Sequence, residues 1–155
     1  MDEITVTDFS DIEATHKKVH NKYEYYKKPL VSKDEANQCQ ISVYEVPPGK
    51  AAYPYHFHIL NEESFYIIEG TGKLITPGGE ALVSQGDFLF FPAGETGAHK
   101  LTNTSDTEML VYIDFDTKNP IDVAFYPKSR KVGIWGKNID KVFKIYDEVE
   151  YYEGE

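Results

Sequence analysis

One cysteine in 155 residues leaves no partner for an intrachain disulfide. Cys39 therefore gives the fold no covalent staple, and at this length a single domain can close a hydrophobic core without one. Long apolar runs are missing as well. The largest clusters, such as FLFFP at residues 88–92, are strand-sized and far short of the roughly 20 residues that span a bilayer. The N-terminal MDEITVTDFSDIE is acidic, with neither the basic start nor the apolar stretch of a secretory signal. Basic residues are also scarce, 16 Lys and Arg against 26 Asp and Glu, and the resulting net charge of −10 would repel a phosphate backbone. These absences give the expectation of a cytoplasmic protein that engages neither membrane nor nucleic acid.

What the chain does contain is a series of short apolar segments, each closed by turn residues. QISVYEV runs into Pro47-Pro48-Gly49, SFYIIE into Gly70-Thr71-Gly72, and KLIT into Pro77-Gly78-Gly79. EALVS, DFLFF, AHKLT and EMLVYIDF continue the pattern to residue 116. Segments of this length and spacing, rich in β-branched and aromatic residues, predict an all-β antiparallel barrel or double-sheet jelly roll. The expected division is an N-terminal arm at 1–38, a barrel at 39–116 and a C-terminal extension at 117–155 packed on it. The arm, with its tyrosine cluster NKYEYYKKPL, is expected to hold at most a short helix around DIEATHKKVHNK.

Three of the five histidines fall into one arrangement. Alternation along a strand points His56 and His58 to the same side and Phe57 to the other. Glu63 begins the next strand, where a hairpin would return it beside the two imidazoles. His99, 36 residues further on in GAHKLTN, can reach the same interior from another strand. Three imidazoles and one carboxylate suit a first-row divalent ion, and Zn, Fe, Mn, Ni, Co and Cu all remain open. His16 and His20, spaced i, i+4 among lysines with no third ligand nearby, read instead as an exposed helix face. Tyr53, Tyr55, Phe65, Tyr66 and Phe90 read first as barrel core or interface.

With these residues placed, the chain resembles the cupin superfamily of small β-barrels over roughly residues 40–116. Gly49, His56, His58, Glu63 and Gly70 match the first cupin motif; Gly86, Pro92, Gly94, His99 and Asn103 match the second. The resemblance implies a double-stranded β-helix with His56, His58, Glu63 and His99 as metal ligands. Glu62 is the rival carboxylate, but only Glu63 leaves six residues before Gly70. Two spacings depart from the pattern: one extra residue lies between Gly49 and His56, and the four residues ETGA precede His99 where the family has two. Both fall in expected loops, where insertion costs little.

Two functions follow as expectations. One is a metal-dependent enzyme acting on a small oxygen-rich metabolite, of oxygenase, isomerase or lyase type. The other is a non-catalytic module that binds a metal or small ligand. Glu62, Glu69 and Tyr66 are the candidate proton carriers. A homodimer is expected from the tyrosine-rich terminal segments, with Trp135 as an interface anchor or a lid.

Overall fold

A computed structural model of the chain describes residues 4, 6–32 and 38–155; the remainder of the expected N-terminal arm lies outside the described residues. Thirteen strands in chain order make up the described architecture: β1 Thr15–Val19, β2 Tyr23–Val31, β3 Cys39–Val46, β4 Phe57–His58, β5 Glu63–Glu69, β6 Thr71–Thr76, β7 Gly79–Ser84, β8 Phe88–Phe91, β9 Lys100–Asn103, β10 Leu110–Thr117, β11 Ile121–Tyr126, β12 Lys131–Gly136 and β13 Ile139–Lys144. All ladders between them are antiparallel. Among the described residues no helix is long and apolar enough to cross a membrane.

One sheet has the order β1-β2-β3-β10-β5-β8. The opposing layer contains β7-β6-β9 and β13-β12-β11-β4, and the bridge between His56 and His99 joins these two groups. Period-two burial shows which faces meet: Phe65 and Ile67 on β5, Leu74 on β6, Leu101 on β9 and Leu110 and Tyr112 on β10 form one core. Ile67 and Leu110 are fully buried, and each such side chain contributes about 1.5–3 kcal/mol relative to exposure.

The N-terminal region differs from the expected short helix. A single 3-10 turn spans Phe9–Asp11, and the residues after it form the β1–β2 hairpin. His16 lies on β1, where it stacks on Tyr26 and meets Glu24 at 3.1 Å; His20 sits in the hairpin turn with φ 59. Alternation along β1 explains the result, because the i, i+4 pairing that a helix requires competes here with cross-strand contacts from Tyr23 to Lys27. The C-terminal residues are likewise strand: β11 pairs with β4, so the chain after residue 117 reaches the strand that carries His58.

Local irregularities aim particular side chains. The register between β5 and β10 shifts between Val111 and Tyr112, so Glu69 turns outward although it shares parity with Glu63. Gly70 then reverses the chain at φ +88, where a Cβ would overlap the carbonyl oxygen of Met109, a place only glycine can occupy. The ring of Trp135 lies on Gly133 of its own strand, against which a Cβ would stand 2.7 Å from Cζ2.

Candidate metal centre

The Nε2 atoms of His56, His58 and His99 each approach the same Glu63 oxygen from adjoining strands, and the mutually close group is His56, His58 and Glu63, with His99 outside it. His56 and His99 exchange backbone hydrogen bonds, His56 N to His99 O at 3.1 Å and His99 N to His56 O at 2.9 Å, which fixes their side chains on the same inward face. His58 follows at period two on β4. From the facing sheet, Glu63 at the start of β5 places Oε2 3.6 Å from the Nε2 of His56, 3.6 Å from that of His58 and 3.4 Å from that of His99.

Each imidazole is oriented through its other nitrogen. His56 Nδ1 donates to the Pro54 carbonyl and His99 Nδ1 to the Gly97 carbonyl, both at 2.9 Å. His58 Nδ1 lies 2.5 Å from Asp122 Oδ2. With Nδ1 as the donor, Nε2 of His56 and His99 presents a lone pair to the centre, the form in which imidazole binds a metal. The ETGA segment supplies one of these supports. Glu95–Gly97 forms a 3-10 turn, Gly97 is buried, and a Cβ on it would overlap the Pro92 carbonyl oxygen. The insertion thus carries the carbonyl that holds His99.

Electrostatics agree with this arrangement. Burial, reinforced by His58, lowers the pKa of His56 to about 4; burial, reinforced by His56, lowers that of His99 to about 3. Both rings are neutral. Burial also raises Glu63 to about 8, with Asp116 adding to the effect. Desolvation pulls His58 down, but the Asp122 hydrogen bond and the Glu63 and Asp122 charges outweigh it and the net shift is upward. Burial raises Asp122 in turn, yet the bonds from His58 and the Leu60 amide hold its carboxyl below the usual range.

The donor set fits a divalent transition ion. Nε2 of His99 is buried and has no hydrogen-bond partner, an energetic cost that a cation would remove. Donors bound at about 2.1 Å to one ion at tetrahedral angles stand about 3.4 Å apart, close to the separations from Glu63. His56, His58 and Glu63 also form a mutually close group of candidate ligands.

Several acidic residues that sequence reasoning passed over belong to this interior. Asp114 and Asp116 on β10 join Glu63 in a second close group, and Oδ1 of each aspartate is buried and unpartnered; the Gln40 side-chain amide donates to the other Asp116 oxygen at 2.9 Å. Burial, then Asp116 and Glu63, push Asp114 well above the ordinary carboxylate range. The available signal was parity, since Asp114 and Asp116 share the inward face of β10 with Tyr112 in an otherwise apolar strand. Asp122 had the same signal within IDVAFY. By contrast Glu62, Glu69 and Tyr66 are exposed, and Asn103 is a structural residue. Asn103 Nδ2 donates to the Val46 and Glu108 carbonyls, each at 2.8 Å, and its Oδ1 accepts from the Ser105 amide.

Residues 42–115 match the Cupin domain family. The chain belongs to the cupin superfamily. No curated protein sequence matches it. Among solved structures, a protein from Acidithiobacillus ferrooxidans, described provisionally as a sugar phosphate isomerase, is 25% identical with a TM-score of 0.81, and the match covers 97% of each chain. A cupin-superfamily sugar phosphate isomerase from Silicibacter pomeroyi is 19% identical with a TM-score of 0.82, covering 96% of this chain and 98% of that one. A predicted oxalate decarboxylase from Thermotoga maritima is 24% identical with a TM-score of 0.64, covering 74% of this cupin and all of its own 100%. The first two alignments therefore take in the β1–β2 hairpin and the C-terminal strands, whereas the third covers less of the chain.

Proposed function

We propose that this cupin is a metal-dependent isomerase of a small phosphorylated sugar, with His56, His58, Glu63 and His99 as the metal ligands. The observation that carries the metal reading is the convergence of three imidazole Nε2 atoms on one Glu63 oxygen, with His99 Nε2 buried and unpartnered. The choice of isomerase among the oxygenase, isomerase and lyase types is supported by the likeness to the Acidithiobacillus protein over nearly the whole chain.

When bound, the ion would supply a Lewis acid that polarises adjacent oxygens of a sugar. The residues of the chain perform the remaining tasks. Asp122, Pro54 and Gly97 fix the orientation of the three rings. Asp114, raised well above the ordinary carboxylate range by burial and then by Asp116 and Glu63, would serve as a proton carrier beside Glu63. Phe65, Phe91 and Tyr112 close the apolar side and limit water.

A non-catalytic metal-binding module is the second reading, favoured by the cavity beside His56 and His99. Its volume is about 10 Å³, room for roughly one water. Elemental analysis of protein purified without added metal or chelator, followed by incubation with aldose and ketose phosphates, separates the two. A bound transition metal with interconversion of one such pair supports the isomerase. Metal without turnover of any pair assigns the binding module, and absence of metal contradicts both.

The same reading includes a homodimer. On the outer face of the six-stranded sheet Phe88 and Phe90 of β8 and Tyr66 of β5 are exposed side by side, next to Phe115 of β10. Strand β8 ends that sheet, so a second copy would cover both an apolar surface and an open edge. Light scattering at micromolar concentration should give twice the 17.7 kDa chain mass, and a monomeric mass would contradict the dimer.

A further inference from the structure

A second cavity, separate from the histidine cluster, opens between the β1–β2 hairpin, the loop of Ala52–Pro54 and the start of β12. It has a volume of about 240 Å³. Lys17, His20 and Lys131 supply its basic groups, and Tyr23, Tyr25 and Tyr53 its aromatic wall. No carboxylate lines it. That composition runs against the chain, which carries ten more acidic than basic residues. Among the described residues Lys17 and Lys131 have no carboxylate partner, whereas Lys18 on the opposite face of β1 pairs with Glu24 at 3.2 Å. Alternation along the strand has therefore sent one lysine to an acid and its neighbour to the cleft.

The cleft adjoins the candidate metal centre. Tyr53 and Pro54 line both this cavity and the small one formed with His56 and His99. Pro54 is also the residue whose carbonyl holds His56 Nδ1. Lys100 lines the small cavity, and its ammonium lies 5.2 Å from the centroid of the Tyr23 ring, on the wall of the cleft. Burial and then the neighbouring Lys128, Lys22 and Lys73 lower the Lys100 pKa, consistent with cations crowded at this end of the barrel.

We propose that the cleft formed by Lys17, His20 and Lys131 is an anion subsite that takes the phosphate group of the substrate while its sugar end faces the His56–His99 side of the Tyr53–Pro54 wall. This rests on the isomerase reading and names the part of the surface that would select phosphorylated over free sugars. Two ammonium groups without a carboxylate partner, that of Lys131 also lying 5.4 Å from the centroid of the Tyr126 ring, arrive from separate elements and match a phosphate monoester, which carries about −1.5 to −2 charges near neutral pH, better than a carboxylate with one. Cations poised without acidic partners also hold no competing ion pair that a ligand would first have to break.

Isothermal titration of the metal-loaded protein with inorganic phosphate tests the subsite. Wild type should bind phosphate, and Lys17→Met combined with Lys131→Met should weaken binding by at least about tenfold, a loss of two charge-assisted contacts. Lys137→Met, on the exposed β12–β13 turn, should leave it unchanged, as should the metal content of all variants. Lys17→Glu should abolish binding. Acetate should bind much more weakly than phosphate. Absence of phosphate binding by wild type, equal binding by the double variant, or equal affinity for acetate overturns the proposal. The outcome is distinct from failure of the metal reading: His58→Ala protein that has lost its metal should still bind phosphate, whereas a failed subsite leaves metal content untouched.

Discussion

Asp122 on β11 holds His58 on β4 through a contact of 2.5 Å between Oδ2 and Nδ1, across 64 residues of sequence. Asp122 Oδ1 also accepts from the amides of Leu60 at 2.9 Å and Asn61 at 3.3 Å. One buried carboxylate therefore orients a candidate metal ligand and ties down the loop that leads to Glu63. Asp122→Ala should lower metal affinity by about 10- to 100-fold, the usual cost of losing a carboxylate that orients a metal-bound imidazole. Asp122→Asn retains an acceptor for the two amides and should lose less. Competition with a chromophoric chelator measures both; unchanged affinity in Asp122→Ala would show that His58 needs no such support.

Gly97→Ala tests the turn that carries His99. Its Cβ would overlap the Pro92 carbonyl oxygen, and backbone on both sides leaves no flexible side chain to yield. Destabilisation of about 1–3 kcal/mol is expected from the forced shift. Metal occupancy should fall with it, because the Gly97 carbonyl moves away from His99 Nδ1. Urea unfolding and metal analysis read the two effects separately.

Asn103→Ala should separate stability from metal content in the other direction. The side chain is 1% exposed and satisfies the Val46 and Glu108 carbonyls and the Ser105 amide. Its removal should cost about 1–3 kcal/mol through buried groups left unpaired, with metal content unchanged in the folded fraction. Loss of metal at full stability would assign Asn103 to the site instead.

Metal affinity should rise with pH up to about 8. In the metal-free site His56 and His99 are neutral at pH 7, with values near 4 and 3, whereas Glu63, raised to about 8, keeps a proton. A cation must displace that proton, so affinity falls as pH drops below the Glu63 value and levels off above it. Calorimetry in two buffers of different ionisation enthalpy should report release of about one proton per metal or more at pH 7, from Glu63 and from the fraction of His58 that its raised pKa keeps protonated. Zero release would contradict the assignment of Glu63 as the carboxylate ligand.

The barrel and the gathering of His56, His58, Glu63 and His99 were legible because both depend on period-two alternation and short turns, which adjacent residues encode. Glu63 could be preferred over Glu62 by spacing, and the structure places Glu63 inside and Glu62 on the surface. Asp122, Asp114 and Asp116 were not singled out, since their importance depends on which strand lies opposite. The pairing of β11 with β4 is set by tertiary packing and leaves no local pattern. The N-terminal hairpin was obscured for a related reason: His16 and His20 fit a helical spacing, and only the cross-strand partners Tyr26 and Glu24 show that β1 is a strand. Parity left Glu69 open between proton carrier and solvated charge, and it lies on the surface, past the bulge between β5 and β10.

The most direct test of the metal centre is the metal content of wild type, His58→Ala, Glu63→Gln and His16→Ala after identical purification. His58→Ala and Glu63→Gln should lose most of the metal while circular dichroism shows an intact barrel, because neither side chain belongs to the apolar core built around Ile67 and Leu110. His16→Ala, on the exposed hairpin, should match wild type. Equal metal content in all four proteins would contradict the site.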